Sequence, residues 1–256
     1  MRIATWNVNS LKARIGRVEE WLAEVRPDVA CLQETKLADD AFPALAFSAL
    51  GYEAAHHGEG RWNGVAILSR VGLTDIVDGN AADASLGTEA RLLTATCEGV
   101  RVVTAYVPNG RMVGHEQYHH KLEWIAGLRR HLDVSARVDG DVIVCGDFNV
   151  APDDRDVWDA ALAHGGTHVS EPERAALASL CAWGLGDVLR DRYDDGRLFS
   201  WWDYRAGAFH KHEGMRIDLL LASRSLRERL SWVLIDRNAR KGKGPSDHAP
   251  VVAEFA

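Results

Sequence analysis

Polar side chains that could hold a metal ion or activate a water molecule follow several apolar runs of this sequence. Asn7 and Asn9 come at the end of the first run, Glu34 at the end of the second, and Asp147 and Asn149 after a later one. Carboxylate and carboxamide oxygens are ligands that a hard cation such as Mg²⁺ takes, and a carboxylate can also accept a proton from water. Such short strings are common in turns, so the prediction depends on their combination.

The most distinctive string is Ser246-Asp247-His248, which lies just before the last apolar run. A histidine that a carboxylate keeps protonated can stabilise a developing negative charge. Asp218 precedes three leucines and needs a partner, because a carboxylate beside an apolar run is costly to bury. We expect Asp218 to orient His248. Other histidines lack zinc-site spacing and are expected at the surface, namely His56-His57, His119-His120, His210 and His212.

An aromatic segment at 199–204 is followed by several basic residues. Rings interleaved with basic side chains are typical of stacking on an unpaired base or a sugar, although core packing explains some of them equally well. We expect at least one ring to line a site. The formal net charge of −7 makes the chain a poor general adsorbent for nucleic acid, so a phosphodiester needs a local site. Two basic clusters are candidates for phosphate contacts: Lys12, Arg14 and Arg17, and Arg237, Arg240, Lys241 and Lys243.

Strands are needed to bring these motifs together, and apolar runs with β-branched residues predict them. The ends of strands on one edge of a sheet converge in a crevice, where the polar side chains would meet. The predicted strands are Arg2–Trp6, Val29–Leu32, Gly64–Ser69, Arg91–Cys97, Arg101–Val107, Val142–Cys145, Ile217–Leu221, Ser231–Ile235 and Val251–Phe255.

Apolar residues at helical spacing predict helices over 11–25, ended by Pro27, and over 118–132. Ser170-x-x-Glu173 is a capping box that opens a third helix, closed by Trp183-Gly184, and Ser225-x-x-Glu228 opens a short fourth. The mixed order of elements predicts an α/β protein with more than one sheet and some antiparallel pairing. Without repeats, low-complexity tracts or linkers, we expect one domain over residues 1–256.

The composition limits the classes of protein to which the chain can belong. Its 256 residues, 46% hydrophobic and 26% charged, exclude a disordered or fibrous chain. No apolar run reaches the ~20 residues that cross a bilayer, and the N-terminus lacks a signal segment, so we expect neither export nor a membrane partner. The four cysteines lie far apart and predict reduced, structural thiols in a cytoplasmic protein.

Taken in order, the motifs resemble the exonuclease III family of apurinic/apyrimidinic endonucleases, within the endonuclease/exonuclease/phosphatase superfamily. The similarity covers residues 2–255, and no single motif carries it. It rests on Trp6-Asn7-Val8-Asn9-Ser10, Leu32-Gln33-Glu34-Thr35-Lys36, Asn63-Gly64-Val65-Ala66-Ile67-Leu68, Tyr106-Val107-Pro108-Asn109-Gly110, Gly146-Asp147-Phe148-Asn149, Phe199-Ser200-Trp201, Arg216-Ile217-Asp218 and Ser246-Asp247-His248.

The resemblance implies a four-layer α/β sandwich of two packed mixed β-sheets flanked by helices. It also implies Mg²⁺-dependent hydrolysis, with Mn²⁺ as a substitute, on the 5′ side of an abasic site in duplex DNA. Related activities are 3′-phosphatase, 3′-phosphodiesterase and 3′→5′ exonuclease. The expected partner is duplex DNA with abasic sites or blocked 3′ ends. The expected protein is a monomer, associated with the nucleoid if it is bacterial.

The same resemblance implies a metal site in which Glu34 is the principal ligand, supported by Asn7 or Asn9 and by Asp247. Some family members carry Asp at the position of Asn9, so this chain offers less support for a second tightly held metal. Asp147 would activate water, and Asn149 would orient the water or the phosphate.

Further roles are implied for residues around the reacting phosphate. His248, held by Asp218, would stabilise the pentacoordinate phosphorane, and the scissile phosphate or leaving oxygen would contact Tyr106 and Asn109. Residues at family positions for substrate binding are Trp201 and Met215 in the sugar pocket and Arg111 in a loop that can wedge into DNA.

Two alternatives stay open at this point. The first is another enzyme of the superfamily, such as an inositol lipid phosphatase, a sphingomyelinase or a nonspecific nuclease. The Trp201 region and the strings at 34–36 and 106–109 favour the abasic endonucleases instead. The second is a non-catalytic DNA-binding homologue, which fits less well because the catalytic positions are all occupied by suitable residues.

Overall fold

The computed structural model describes residues 1–79 and 86–256, and the strands in these ranges form two six-stranded sheets. Strands and helices are numbered along the chain. The first sheet has the spatial order β11 (Leu230–Ile235), β12 (Val251–Phe255), β1 (Arg2–Asn7), β2 (Val29–Gln33), β4 (Val65–Ser69) and β3 (Glu53–His57). The second has the order β5 (Thr74–Asp78), β6 (Leu92–Cys97), β7 (Val100–Tyr106), β8 (Val142–Asp147), β10 (Asp218–Ser223) and β9 (Leu185–Asp187).

Both sheets are mixed. β1 and β2 are parallel in the first sheet, as are β7 and β8 in the second, and the other neighbouring strands run antiparallel. The helices are α1 (Leu11–Val25), α2 (Ala44–Ala49), α3 (Glu116–Ser135), α4 (Ala160–Ala163), α5 (Glu171–Cys181), α6 (Ala208–Lys211) and α7 (Arg224–Arg227).

The alternation of side chains along the central strands explains the layers. In β1, Ile3 faces the second sheet, whereas Ala4 and Trp6 face the apolar side of α1. In β8, Cys145 lies between the sheets and Val144 packs under α3 and α5. Each central strand is therefore apolar on both faces, and the predicted four-layer α/β sandwich is confirmed.

All the predicted strands are present, with ends displaced by one or two residues, and β3, β5 and β9 are additional. The capping box of Ser170 and Glu173 opens α5 as predicted. The prediction that Ser225 opens the fourth helix was wrong: α7 begins at Arg224 after Ser223, and Ser225 Oγ donates to Asp141 at 2.6 Å.

All four cysteines are free thiols, as predicted. None of the helices in the described ranges is long and apolar enough to cross a membrane.

Candidate active site

A pocket of about 190 Å³ lies where the carboxyl ends of β2, β7 and β8 meet the segment before β12. The two parallel strand pairs point their ends toward the same edge, which brings distant motifs together. Nine of the predicted site residues line this pocket, namely Glu34, Tyr106, Asn109, Asp147, Asn149, Trp201, Met215, Asp247 and His248.

Asn7 links the two sheets beneath this pocket. Its buried Nδ2 donates to Glu34 Oε1 at 2.8 Å and to Asp147 Oδ2 at 2.9 Å. Lys36 Nζ lies 2.9 Å from the other oxygen of Glu34. Both carboxylates are thus fixed in direction by charged or amide donors, and each keeps lone pairs for a further partner.

The environment of Asp147 favours a carboxyl group that exchanges a proton near neutral pH. Burial raises the pKa of Asp147 to about 7, with the His248 cation opposing this shift and the Asp218 carboxylate adding to it. The backbone N–H of Asn149 donates to Asp147 Oδ1 at 2.9 Å. A carboxylate with a pKa near the working pH is suited to act as a general base.

His248 lies between two carboxylates. Its Nδ1 is 2.8 Å from Asp218 Oδ2, and its Nε2 is 3.8 Å from Asp147 Oδ2. Burial lowers the pKa of His248, but Asp218 and Asp147 outweigh burial and raise it to about 10. Ser200 Oγ donates to Asp218 Oδ2 at 2.7 Å and so fixes the carboxylate. The site therefore holds an oriented imidazolium.

Asp247 connects the end of β1 to the aromatic segment. Asn9 Nδ2 donates to Asp247 Oδ1 at 3.0 Å, and Trp201 Nε1 donates to Oδ2 at 3.1 Å. Lys36 donates to Asn9 Oδ1 at 2.7 Å. Burial disfavours the Asp247 anion, but the His248 cation and the hydrogen bonds from Asn9 and Trp201 lower the pKa of Asp247 overall.

The residues fit a hard divalent cation. Ligand atoms of Glu34, Asp147 and His248 lie within 4.8 Å of one another. Because the imidazole of His248 is charged and committed to Asp218, the donors that this cluster offers to a cation are carboxylate oxygens. Two carboxylates with space for water are typical of a Mg²⁺ site.

Trp201, Met215 and Ile217 form an apolar wall of the same pocket. Trp201 and Met215 pair as an antiparallel bridge, with N–O distances of 2.9 and 3.0 Å in the two directions. The neighbouring Phe199 and Trp202 are buried in the core. One ring of the aromatic segment therefore lines the site, and two others pack inside.

Tyr106 and Asn109 form another part of the pocket wall. Burial, with the nearby Glu34 and Asp147 carboxylates, raises the pKa of Tyr106 well above its usual value, so its phenol stays protonated. Asn109 Nδ2 donates to Asn149 Oδ1 at 3.2 Å. Arg111, two residues further on, is exposed and lies outside the pocket lining.

A buried ion pair that contacts the backbone of Asn149 and Asn109 was not predicted from the sequence. Lys121 and Glu173 have no exposed side-chain surface and form a salt bridge. Lys121 Nζ also donates to the carbonyls of Asn149 at 2.6 Å and Asn109 at 3.4 Å. The available signal was a lysine three residues after Tyr118, on the apolar face of α3.

The structure also corrects the prediction for His56, which is not at the surface. Its side chain is 5% exposed, stacks on Phe42, and lies with Nε2 2.8 Å from Thr35 Oγ1. Thr35 follows Glu34, which has a left-handed φ of 54°. His56 therefore packs behind the loop that presents the carboxylate of Glu34.

The two basic clusters are only partly free to contact DNA. Arg14 donates to the carbonyl of Asn9 and to Tyr204, and Arg17 donates to three carbonyls of the segment 239–243. Arg240 is buried. The residues of the two clusters that are exposed are Lys12, Lys241 and Lys243.

This fold and site define a phosphodiester hydrolase, and the chain belongs to the Endonuclease/Exonuclease/phosphatase family, whose profile matches residues 4–248. It is 34% identical over 276 residues to the exodeoxyribonuclease III of Haemophilus influenzae, with all of both chains aligned. It is similar to the structure of an AP endonuclease from Archaeoglobus fulgidus, with a TM-score of 0.96, 36% identity, and coverage of 100% of this chain and 99% of that one. A 3′ phosphatase from Neisseria, bound to a product DNA hairpin, matches with a TM-score of 0.94, 37% identity and the same coverage.

Proposed function

We propose that this chain is a DNA repair nuclease that hydrolyses the phosphodiester on the 5′ side of an abasic site in duplex DNA. The products would be a 3′-hydroxyl and a 5′-deoxyribose phosphate. The proposal rests mainly on one observation. The charged groups of the pocket lie next to its apolar wall, and the hydrogen bond from Trp201 to Asp247 joins the two. The relatives include an exodeoxyribonuclease III, an AP endonuclease and a 3′ phosphatase bound to product DNA, which supports a DNA substrate.

The proposed cofactor is Mg²⁺, with Mn²⁺ as a substitute. Glu34 would be its principal ligand, with Asn7 or Asn9 and Asp247 supporting it. The cation would neutralise charge on the phosphate as hydrolysis proceeds. The hydrogen bonds from Asn7 to Glu34 and from Asn9 to Asp247 place the carboxamides beside both carboxylates, which supports this assignment.

Asp147 would accept the proton of the attacking water. Its pKa of about 7 favours this role, because burial disfavours the anion and makes it a stronger base than an exposed aspartate. Asn149, fixed by a hydrogen bond from Nδ2 to the carbonyl of Val107 at 2.9 Å, would orient the water or the phosphate.

The imidazolium of His248 would stabilise the negative charge of the pentacoordinate phosphorane. A donor held in place before the reaction stabilises the transition state without a reorganisation cost. Asp218 would act as a positioning residue that keeps His248 charged and oriented. Tyr106 and Asn109, which bring O–H and N–H donors to the pocket lining, would contact the scissile phosphate or the leaving oxygen.

Trp201 and Met215 would pack against the extrahelical abasic sugar. A flipped abasic nucleotide presents an apolar sugar face and no base, so a small pocket admits it and excludes an intact nucleotide by size. The pocket volume of about 190 Å³ supports this selection. Arg111, which is exposed two residues after Asn109, would contact the duplex beside the lesion.

Removal of blocking groups from 3′ ends is a second candidate activity, with 3′→5′ exonuclease activity related to it. The similarity to the Neisseria 3′ phosphatase favours it. The same pocket would take a terminal phosphate, because that substrate needs the charged centre and fewer contacts with the strand. We propose that the protein acts as a monomer through one domain over residues 1–256.

The proposal is tested with three labelled duplexes, one with a single abasic site, one intact, and one with a 3′-phosphate at a nick. We expect cleavage at the abasic site and release of phosphate with Mg²⁺, little cleavage of the intact duplex, and no reaction in EDTA. Glu34→Gln should need more Mg²⁺ for half-maximal rate, because one charge is removed from a hard-cation site. Equal cleavage of intact and abasic duplexes would contradict the proposed selectivity, and an unchanged Mg²⁺ requirement would remove Glu34 from the metal site.

A further inference from the structure

A second pocket, of about 370 Å³, is lined by the strand β11 at the edge of the first sheet and by the segment 189–199. It shares no lining residue with the candidate active site. Two of its residues, Tyr193 and Leu234, are large apolar side chains that are exposed. Two others, Leu189 and Val233, belong to the core between the sheets. The pocket is therefore an opening into that core.

The backbone of β11 has unpaired groups beside this pocket. In the described ranges β11 pairs only with β12, and just after β11 the N–H of Asp236 donates to the carbonyl of Pro250 at 2.8 Å. Bonded and non-bonded pairs alternate in an antiparallel ladder, so Leu234 also bonds to β12. The N–H and C=O groups of Val233 and Ile235 point the other way, along the free edge of the sheet.

The free part of this edge is short and coincides with the pocket. At the other end of β11, Arg192 donates to the carbonyls of Leu230 and Ser231 and so covers the edge there. Natural proteins usually protect the edges of their sheets against pairing with another chain. Here the arginine protects one end, and the stretch 233–235 that lines the pocket stays open.

The charges of the pocket are all positive. Arg197 and Arg237 line it, and neither has a carboxylate within salt-bridge distance in the ranges 1–79 and 86–256. Arg237 donates to the carbonyl of Phe209 at 2.9 Å, and Arg197 reaches the carbonyls of Trp158 and His212 only at 3.3 and 3.4 Å. No carboxylate from the described ranges lines the pocket, so an occupant with negative charge would complement it.

We propose that β11 and this pocket form a docking site for an extended, acidic peptide segment of a partner protein. The segment adds as a further strand at the free edge, where main-chain hydrogen bonds supply affinity and alternate side chains enter the pocket. Its carboxylates meet the guanidinium groups of Arg197 and Arg237 in charge-assisted hydrogen bonds. The phosphates of DNA could meet these charges too, but DNA has no row of backbone donors and acceptors that matches a strand.

The probe is a terminally blocked peptide in which Asp and Val alternate, because valine favours an extended backbone. Its control carries Lys in place of each Asp. Titration calorimetry with the full chain should show a dissociation constant for the acidic peptide that is lower by about tenfold or more, the effect of one hydrogen bond to a charged group. Similar constants for the two peptides, or no binding of either, would overturn the proposal.

Hydrogen exchange of the natural chain tests the strand pairing without any variant. The acidic peptide should slow exchange of the Val233 and Ile235 amides and leave the Leu234 amide, which already bonds to β12, as it is. Unchanged exchange at Val233 and Ile235 in the bound state would show that the peptide does not add to the sheet, and the proposal would be wrong.

A charge reversal tests the arginine contact. Arg197→Glu should weaken binding of the acidic peptide by about tenfold or more. Arg137→Glu makes the same change at an exposed position outside the pocket and should leave binding within about twofold. Equal effects of the two variants, each checked for folding by its melting temperature, would show that Arg197 makes no specific contact.

Competition separates this inference from the proposed function. An abasic duplex should not displace the peptide, because the two pockets share no lining residue. Displacement by the duplex would assign the arginines to the DNA-binding surface and overturn the docking site. A chain that binds the acidic peptide as expected and cleaves no duplex would leave the docking site standing and contradict the proposed function.

Discussion

Trp201 Nε1 donates a hydrogen bond to Asp247 Oδ2 at 3.1 Å, and this contact joins the apolar wall of the pocket to the segment that carries His248. The backbones are joined as well, because Trp201 and His248 form an antiparallel bridge. The backbone bridge does not depend on the indole ring, so it should hold the charged centre in place when that ring is replaced. The proposed sugar contact and the proposed catalytic histidine are thus linked through one side chain and one backbone bridge.

Replacing Trp201 tests this relationship. Trp201→Ala should lower kcat/KM on the abasic duplex by at least about tenfold, the effect of removing a few carbon atoms from an apolar pocket. Hydrolysis of a terminal 3′-phosphate should fall much less, since less of the strand must enter. Trp201→Phe keeps a ring and loses only the donor to Asp247, so it should retain more activity than Trp201→Ala. Equal losses on both substrates would assign Trp201 to core packing alone.

His248 and Asp218 should act as one unit, because Asp218 keeps His248 charged and oriented. Removing a transition-state charge partner costs about 2.7–4 kcal/mol, so His248→Ala should lower kcat by roughly 10²- to 10³-fold. Asp218→Ala should approach the same loss. The double variant should lose far less than the sum of the two single losses. Additive losses in a double-mutant cycle would show that the two residues do not cooperate.

The buried pair of Lys121 and Glu173 should stabilise both the fold and the wall of the pocket. Lys121→Met leaves a buried carboxylate without its cation and should lower the free energy of unfolding by about 3–5 kcal/mol. Lys121→Met combined with Glu173→Gln removes both charges and should recover part of this loss. Both variants should have a lower kcat than the natural chain, because the carbonyls of Asn149 and Asn109 lose the Lys121 donor. Urea unfolding would contradict the account if the double variant were no more stable than the single one.

Stability should fall in acid through His131 on α3. Its ring is buried beside Thr94 Oγ1 at 2.9 Å, and burial with the Arg101 charge lowers its pKa to about 4. Below the unfolded-state pKa of about 6.5, the unfolded chain binds a proton that the folded chain does not, so the free energy of unfolding decreases down to about pH 4. The decrease in the free energy of unfolding that His131 causes reaches about 3 kcal/mol.

The measurement is urea unfolding at a series of pH values. His131→Gln should flatten the decrease in stability between about pH 6.5 and pH 4. His119→Gln, an exposed position on the same helix, is the matched control and should leave the slope as it is. A slope that is the same in both variants would show that His131 is not the group responsible.

Much of the fold could be predicted from the sequence because its central elements are strongly patterned. β8 and β10 are continuous apolar runs, and the capping box of α5 marks its start. Two of the three missed strands lack that signal: β5 is mostly exposed, and β9 has only three residues. Both lie at the edges of the second sheet, where pairing with one neighbour decides the conformation.

The site could be predicted where its residues follow strands, and not where they come from loops or from beneath the pocket. Glu34 and Asp147 follow apolar runs, so convergence at a sheet edge could be expected. His168, which also lines the pocket, lies on a loop whose path depends on contacts with Glu173 and Ala151. Such contacts join residues that are far apart in sequence, and no local pattern encodes them.

The chemical ends of the cut strand test the central claim most directly. A duplex with a natural abasic site, labelled on the damaged strand, is incubated with the protein and Mg²⁺, and the products are analysed by mass. Hydrolysis by water that Asp147 activates predicts a 3′-hydroxyl on one fragment and a 5′-deoxyribose phosphate on the other. An unsaturated sugar on the 3′ end of the upstream fragment would show that the strand is cut by elimination and not by hydrolysis. That result would contradict the account.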